Sequence, residues 1–131
     1  MENLKKECIF SAHGAPAAGP YSHAVAAGPF LFVSGQGPLK PDGSGPVRGS
    51  IEEEARQTLE NLKSILEDAG SSLDQVVRVT VYLASMDDFE RFNRVYKEYF
   101  PNNYPARTCV QASRLPLDIK VEIEATAVRG A

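Results

Sequence analysis

Phe30-Leu31-Phe32-Val33-Ser34-Gly35 has the aromatic and β-branched content of a strand but lacks the usual alternation of apolar and polar residues. Side chains along a strand point alternately to opposite faces. Phe30 and Phe32 therefore share one face, and Leu31 and Val33 the other. A strand apolar on both sides calls for cover on both.

Working outward, Ala24-Val25-Ala26 reads as a preceding strand, joined through the turn Ala27-Gly28-Pro29. After it comes a loop at 38–49, rich in proline and glycine. Ser50 and Glu53 then form a capping-box pattern. Ile51, Ala55, Leu59, Leu62 and Leu66 follow on one helical face, and Gly70 supplies the stop. Val76–Leu83 is β-branched and strand-like. Ser85 and Asp88 open a second helix with the stripe Phe89, Phe92, Tyr96 and Tyr99, which ends before Pro101. Strands are expected near 107–112 and 120–128, and a short one around Cys8. In the last strand Val121, Ile123, Ala125 and Ala127 alternate with Lys120, Glu122, Glu124 and Thr126, the pattern of one buried face.

The order β-β-α-β-α-β-β predicts an α+β fold, with two helices on one face of a mixed sheet. Two helices cover one face only, so the second apolar face of the 30–35 strand predicts a homo-oligomer. At 131 residues one core is expected, with 1–14 a partly flexible N-terminal segment.

Hydrophobic residues are 43% and charged residues 24%, with a net charge of -3. Acids and bases are interspersed, which argues against a nucleic-acid binder held by a basic field. No apolar run is long enough to span a bilayer, and the opening residues show no signal peptide. A cytoplasmic protein with free thiols at Cys8 and Cys109 is expected. His13 and His23 add too few ligands at useful spacing for a metal site, so none is expected. His23 reads as an exposed or cap-forming residue.

Arg107 opens a strand, sharing a face with Cys109 and Gln111. Its planar fork of donors suits a carboxylate; an ion pair with Glu122 or Glu124 is the structural alternative, and pattern alone favours it. Glu122 beside a cleft would position or deprotonate a water, whereas strand glutamates ordinarily face solvent. Asn93 borders the apolar stripe of the second helix, where an amide needs a hydrogen-bond partner or forms a pocket wall. Tyr21, Ser34 and Gly35 end their segments in residues that present hydroxyls or backbone N–H groups, or that simply begin turns. Cys109 is expected to be a buried, inert thiol.

Taken together, Gly19-Pro20-Tyr21-Ser22, Ser34-Gly35-Gln36, Val79-Thr80-Val81, Asp87-Asp88-Phe89, Pro105-Ala106-Arg107 and Val121-Glu122-Ile123-Glu124-Ala125 resemble the Rid (YjgF-like) family from about 15 to 128. The resemblance implies a chorismate-mutase-like fold assembled as a homotrimer with active sites between subunits. It implies the arginine-containing deaminase branch, hydrolysing 2-iminobutanoate and 2-iminopropanoate to 2-keto acids and ammonia. These reactive imines are released by pyridoxal-phosphate-dependent serine and threonine dehydratases, the implied functional link. Arg107 would hold the substrate carboxylate and Glu122 orient the water. The backbone at Cys109 would contact the imino nitrogen, and Tyr21, Ser34, Gly35 and Asn93 would line the pocket. No cofactor is required. His23 stands where the family commonly has Gln, and Gly37 where an apolar residue is common. The stretch before Gly19 is also one apolar residue short. A non-catalytic trimer sensing keto or amino acids is the competing expectation, with a ribonuclease or translation inhibitor behind it.

Overall fold

The computed structural model describes residues 4–130. One six-stranded sheet runs in the order β1-β2-β3-β6-β4-β5. The strands are β1 (Glu7–Ile9), β2 (Ala24–Ala27), β3 (Phe30–Gln36), β4 (Val76–Leu83), β5 (Ala106–Gln111) and β6 (Val121–Val128). All neighbours pair antiparallel except β4 and β5, which run parallel. A parallel pair needs a long crossover, and α2 (Phe89–Tyr99) supplies it. The expected α+β architecture, two helices on one face of a mixed sheet, is what the chain adopts. The short strand expected around Cys8 is present as β1. Within the 1–14 segment, positions 1–3 lie outside the described residues.

Helix α1 (Ile51–Asp68) begins as its sequence requires. Ser50 Oγ accepts from the Glu53 N–H at 3.2 Å, and Glu53 Oε1 accepts from the Ser50 N–H at 3.1 Å. Each side chain satisfies a donor that the first turn leaves open. Ile51, Ala55, Leu59, Leu62 and Leu66 are all buried against the sheet. Gly70 ends the helix at φ +83°, a left-handed backbone that glycine adopts without a steric penalty. The second helix differs from expectation at its start. Ser85 accepts from Asp87 and caps a 3-10 turn at Met86–Asp88, and regular α-helix begins only at Phe89.

Both helices pack on the same face of the sheet. Leu31, Val33, Val79, Val81, Ile123 and Ala125 point into that core. The opposite face has no helix, and there Phe30 and Phe32 remain 45% and 48% exposed. The conflict seen in the 30–35 strand is thus real in the single chain: Leu31 and Val33 are covered, their neighbours are not.

Candidate functional site

Of the residues singled out from the sequence, Asn93 and Arg107 line one recess and Tyr21, Gly35 and Glu122 another, while Ser34 and Cys109 line neither; strand register sets the division. Arg107 pairs with Val79 and Cys109 with Val81, both fully buried under the helices. Arg107 and Cys109 therefore lie on the helix-bearing face. Glu122 pairs with Tyr82 on the other face, where Tyr82 donates to Glu124 at 2.7 Å. No ion pair joins Arg107 to Glu122 or Glu124 among the described residues, so the structural reading that pattern favoured does not hold. The sheet itself lies between them.

The first recess is a cleft of about 290 Å³ lined by Asn93, Tyr96, Lys97, Tyr104, Pro105 and Arg107. The guanidinium carbon of Arg107 sits 4.7 Å from the Tyr96 ring centroid and 5.7 Å from that of Phe89. Stacking on rings contributes roughly 0.5–2 kcal/mol and uses none of the guanidinium's five donors. The fork is held in place and left available. Two polar atoms beside it, Asn93 Oδ1 and the Tyr96 hydroxyl, are buried with no hydrogen-bond partner among the described residues. Of the two expectations for Asn93, a hydrogen-bond partner within the fold or a place in a pocket wall, the structure shows the second. Each such atom left without a partner costs about 1–3 kcal/mol, a cost that a water or a bound group at this point removes. Burial pushes the Tyr96 phenol up to about 12, while the Arg107 charge pulls it down. Tyr96 thus stays a neutral donor at neutral pH. Cys109 is half-buried, and burial pushes its thiol up against the opposing pull of Arg107. The expectation of a buried thiol is thus corrected, since Cys109 is only partly covered.

The second recess, about 70 Å³, is lined by Tyr21, Gly35 and Glu122 with apolar neighbours. Glu122 is half-buried, and its carboxyl is pushed up by burial first and by the charge of Glu124 second. β3 bulges between Val33 and Gln36, and Gly35 in that bulge lets the Glu122 side chain lie across the backbone. A Cβ built at Gly35 would fall on the Glu122 carboxylate. Because the clash is with the end of a flexible side chain, Gly35→Ala should leave the fold intact and displace Glu122. The expected result is a melting temperature within a few degrees of wild type and, for any reaction that uses Glu122, turnover down by about 10²-fold from the misplaced group; unchanged turnover would mean that the placement of Glu122 does not matter.

Ser34 is only partly committed: its hydroxyl donates to the Ser22 carbonyl at 2.7 Å and keeps its lone pairs. The Tyr21 hydroxyl accepts from the Ala18 N–H at 3.1 Å and keeps its proton. His23 is neither exposed nor a helix cap, contrary to expectation. It is 4% exposed, with Nδ1 accepting from the Ser11 N–H at 2.8 Å and Nε2 donating to the Ala15 carbonyl at 2.7 Å. A neutral imidazole serves both partners and holds the 11–15 backbone that leads into the wall of the second recess. Sequence reading missed this, because nothing near His23 in the chain announces partners 8 and 12 residues away. It also missed Tyr96 as a site residue. The three-residue spacing from Asn93, which puts both on neighbouring helical positions, was the available signal.

No group of three or more His, Cys, Asp or Glu side chains able to hold a metal occurs among the described residues. No helix of the described residues is long and apolar enough to cross a membrane.

A mixed sheet with two helices on one face defines an α+β protein of the chorismate-mutase-like class, here with an arginine cleft and a separate carboxylate recess. The family model described as Endoribonuclease L-PSP matches residues 12–129, and the chain belongs to this Rid (YjgF-like) family. It is 51% identical over 124 residues to a RutC family protein of Pyrococcus horikoshii, covering 95% of this chain and 98% of that one. It is 41% identical over 130 residues to the human 2-iminobutanoate/2-iminopropanoate deaminase, covering 99% of this chain and 95% of the relative. Among solved structures, Escherichia coli TdcF with bound serine superposes with a TM-score of 0.89 at 40% identity, covering 95% of this chain and 99% of that one.

Proposed function

We propose that this chain is a cofactor-independent imine hydrolase, converting 2-iminobutanoate and 2-iminopropanoate to 2-keto acids and ammonia. In this reading it works as a homotrimer with active sites shared between subunits. One observation carries it: the arginine and the carboxylate that such a reaction needs occupy opposite faces of one sheet. A small imino acid cannot touch both within one chain. A second copy seated on the exposed Phe30 and Phe32 face would cover those rings and bring the two kinds of recess together.

In that site the Arg107 fork holds the substrate carboxylate, and the buried Asn93 and Tyr96 atoms gain partners. Glu122, as carboxylate, takes a proton from water as its oxygen adds to the C=N carbon. Glu122 returns that proton to the nitrogen, giving a carbinolamine, and the carbinolamine hydroxyl proton then passes through Glu122 to the nitrogen as the C–N bond breaks, leaving ammonia and the 2-keto acid. The backbone at Cys109 contacts the imino nitrogen, and Tyr21, Ser34 and Gly35 line the approach. Such imines already hydrolyse in water, so positioning and proton transfer suffice. In this reading the protein acts on the imines released by pyridoxal-phosphate-dependent serine and threonine dehydratases, and works in the cytoplasm. One 49%-identical yeast relative is named as mitochondrial, which makes compartment a property to test in cells.

Semicarbazide trapping tests the reaction. With threonine dehydratase and threonine supplying the imine, the purified protein should lower semicarbazone formation in proportion to its concentration. Unchanged trapping at high protein concentration would sink the enzymatic reading. The bound serine of TdcF favours one alternative, a trimer that senses amino or keto acids without turnover.

A further inference from the structure

The 3-10 turn at Pro116–Asp118 carries an anomaly that the site described so far does not use. Leu117 has φ 59° and ψ 18°, and Asp118 follows at φ 52°. Two consecutive non-glycine residues in the left-handed region are strained, the more so for a bulky leucine. Strain of this kind persists only where the surroundings enforce it. Around this turn the Asp118 carbonyl accepts from Arg48 at 3.2 Å and the Asp118 carboxylate meets Arg114 at 3.4 Å, both at the surface. The turn holds an apolar side chain outward, 54% exposed, at the rim of the Glu122 recess. Pro16, Ala17, Leu39 and Ile119 line the same recess. Leu117, Pro16, Ala17 and Leu39 also line an adjoining hollow.

We infer that Leu117 is the residue that selects the substrate's side chain, and that the site takes 2-imino acids with short aliphatic side chains while rejecting those ending in a charge. The inference rests on reading Glu122 as the water-positioning group. With the reacting carbon beside Glu122 and its carboxylate held by Arg107, the remaining substituent points to the apolar wall. Each methylene buried there raises affinity by about fourfold. A terminal carboxylate would lose its water against Leu117 and Leu39, and the Glu122 recess has no lysine or arginine in its lining; Lys40 lines only the adjoining hollow.

The test uses the product keto acids as probes, so binding is read without turnover. For the wild-type protein, the dissociation constant should fall from pyruvate to 2-oxobutanoate to 4-methyl-2-oxopentanoate, and 2-oxoglutarate should bind worst. Leu117→Gly is the informative variant, because glycine relieves the left-handed strain. It should melt no lower than wild type and bind pyruvate within about twofold, yet bind 4-methyl-2-oxopentanoate at least about tenfold more weakly. Leu117→Lys should improve 2-oxoglutarate binding relative to the aliphatic series. A purely structural Leu117 would change the melting temperature and leave the order of affinities untouched, which overturns the inference. Equal weakening of every keto acid, or no binding of any by wild type, overturns it as well. If the chain-length preference holds while imine trapping is unaffected, the hydrolase reading falls and the selectivity stands. Normal imine turnover with a preference that ignores Leu117 does the reverse: the hydrolase stands and the selectivity falls.

Discussion

Arg107→Ala should lower kcat/KM for imine hydrolysis by about 2–5 kcal/mol, between roughly thirtyfold and several thousandfold. The carboxylate it holds is present in substrate and transition state alike, so part of the loss belongs in KM. The rest belongs in kcat, because a substrate held less firmly no longer presents its C=N carbon to the water. Arg107→Lys should fall between wild type and Arg107→Ala, since an ammonium keeps the charge and loses the planar fork. Neither change should unfold the protein. Arg107 lies at the open end of an edge strand, and its contacts to Tyr96 and Phe89 are stacking contacts worth about 1 kcal/mol at such a site. Steady-state kinetics with the semicarbazide assay, beside a thermal melt, decides the matter. Activity within about threefold of wild type in Arg107→Ala would mean that the substrate carboxylate is held elsewhere.

Glu122→Gln is expected to reduce kcat by about 10²–10⁴ through loss of the proton acceptor, while 2-oxobutanoate binding stays within a few-fold. That split separates an enzyme from a sensor, in which there is no turnover to lose and ligand binding would stay nearly intact. The pH dependence carries its own sign. Burial raises the Glu122 carboxyl above the ordinary glutamate range, and the ionised form is the active one. Wild-type activity should therefore fall on the acid side at a pH above that ordinary range, and the residual activity of Glu122→Gln should lack this limb. Stability moves the opposite way. Folding favours the protonated carboxyl, so the cost of ionising it is fully present above the raised pKa and vanishes below the unfolded one. At neutral pH, Glu122→Gln should melt at or above the wild-type temperature, and in acid the two proteins should converge. A variant both inactive and markedly less stable would instead point to a structural carboxylate.

How much of this can be read from the chain differs by element. Ser50 and Glu53 announce α1 because a capping box is local: its two bonds close within four residues. The alternation from Val121 to Val128 announces β6 and its buried face for the same reason. The start of α2 is not legible, because Ser85 and Asp88 suit a 3-10 turn as well as a helix. Asn93 is recognisable as a border residue, yet its missing partner is invisible without the surrounding walls. His23 misleads because both of its partners are backbone groups of a distant loop.

By itself the sequence determined the elements, their order, one covered sheet face and the surplus apolar face of Phe30 and Phe32. These follow from short-range periodicity, caps and turns, which depend on neighbours along the chain. Tertiary structure alone decided that β6 inserts between β3 and β4, and that β5 runs parallel beside β4. It alone set Arg107 and Glu122 on opposite faces, buried His23, and twisted Leu117 into the left-handed region. Those outcomes depend on pairings and hydrogen bonds between residues far apart in the chain, whose cost and gain are settled only when the whole sheet closes.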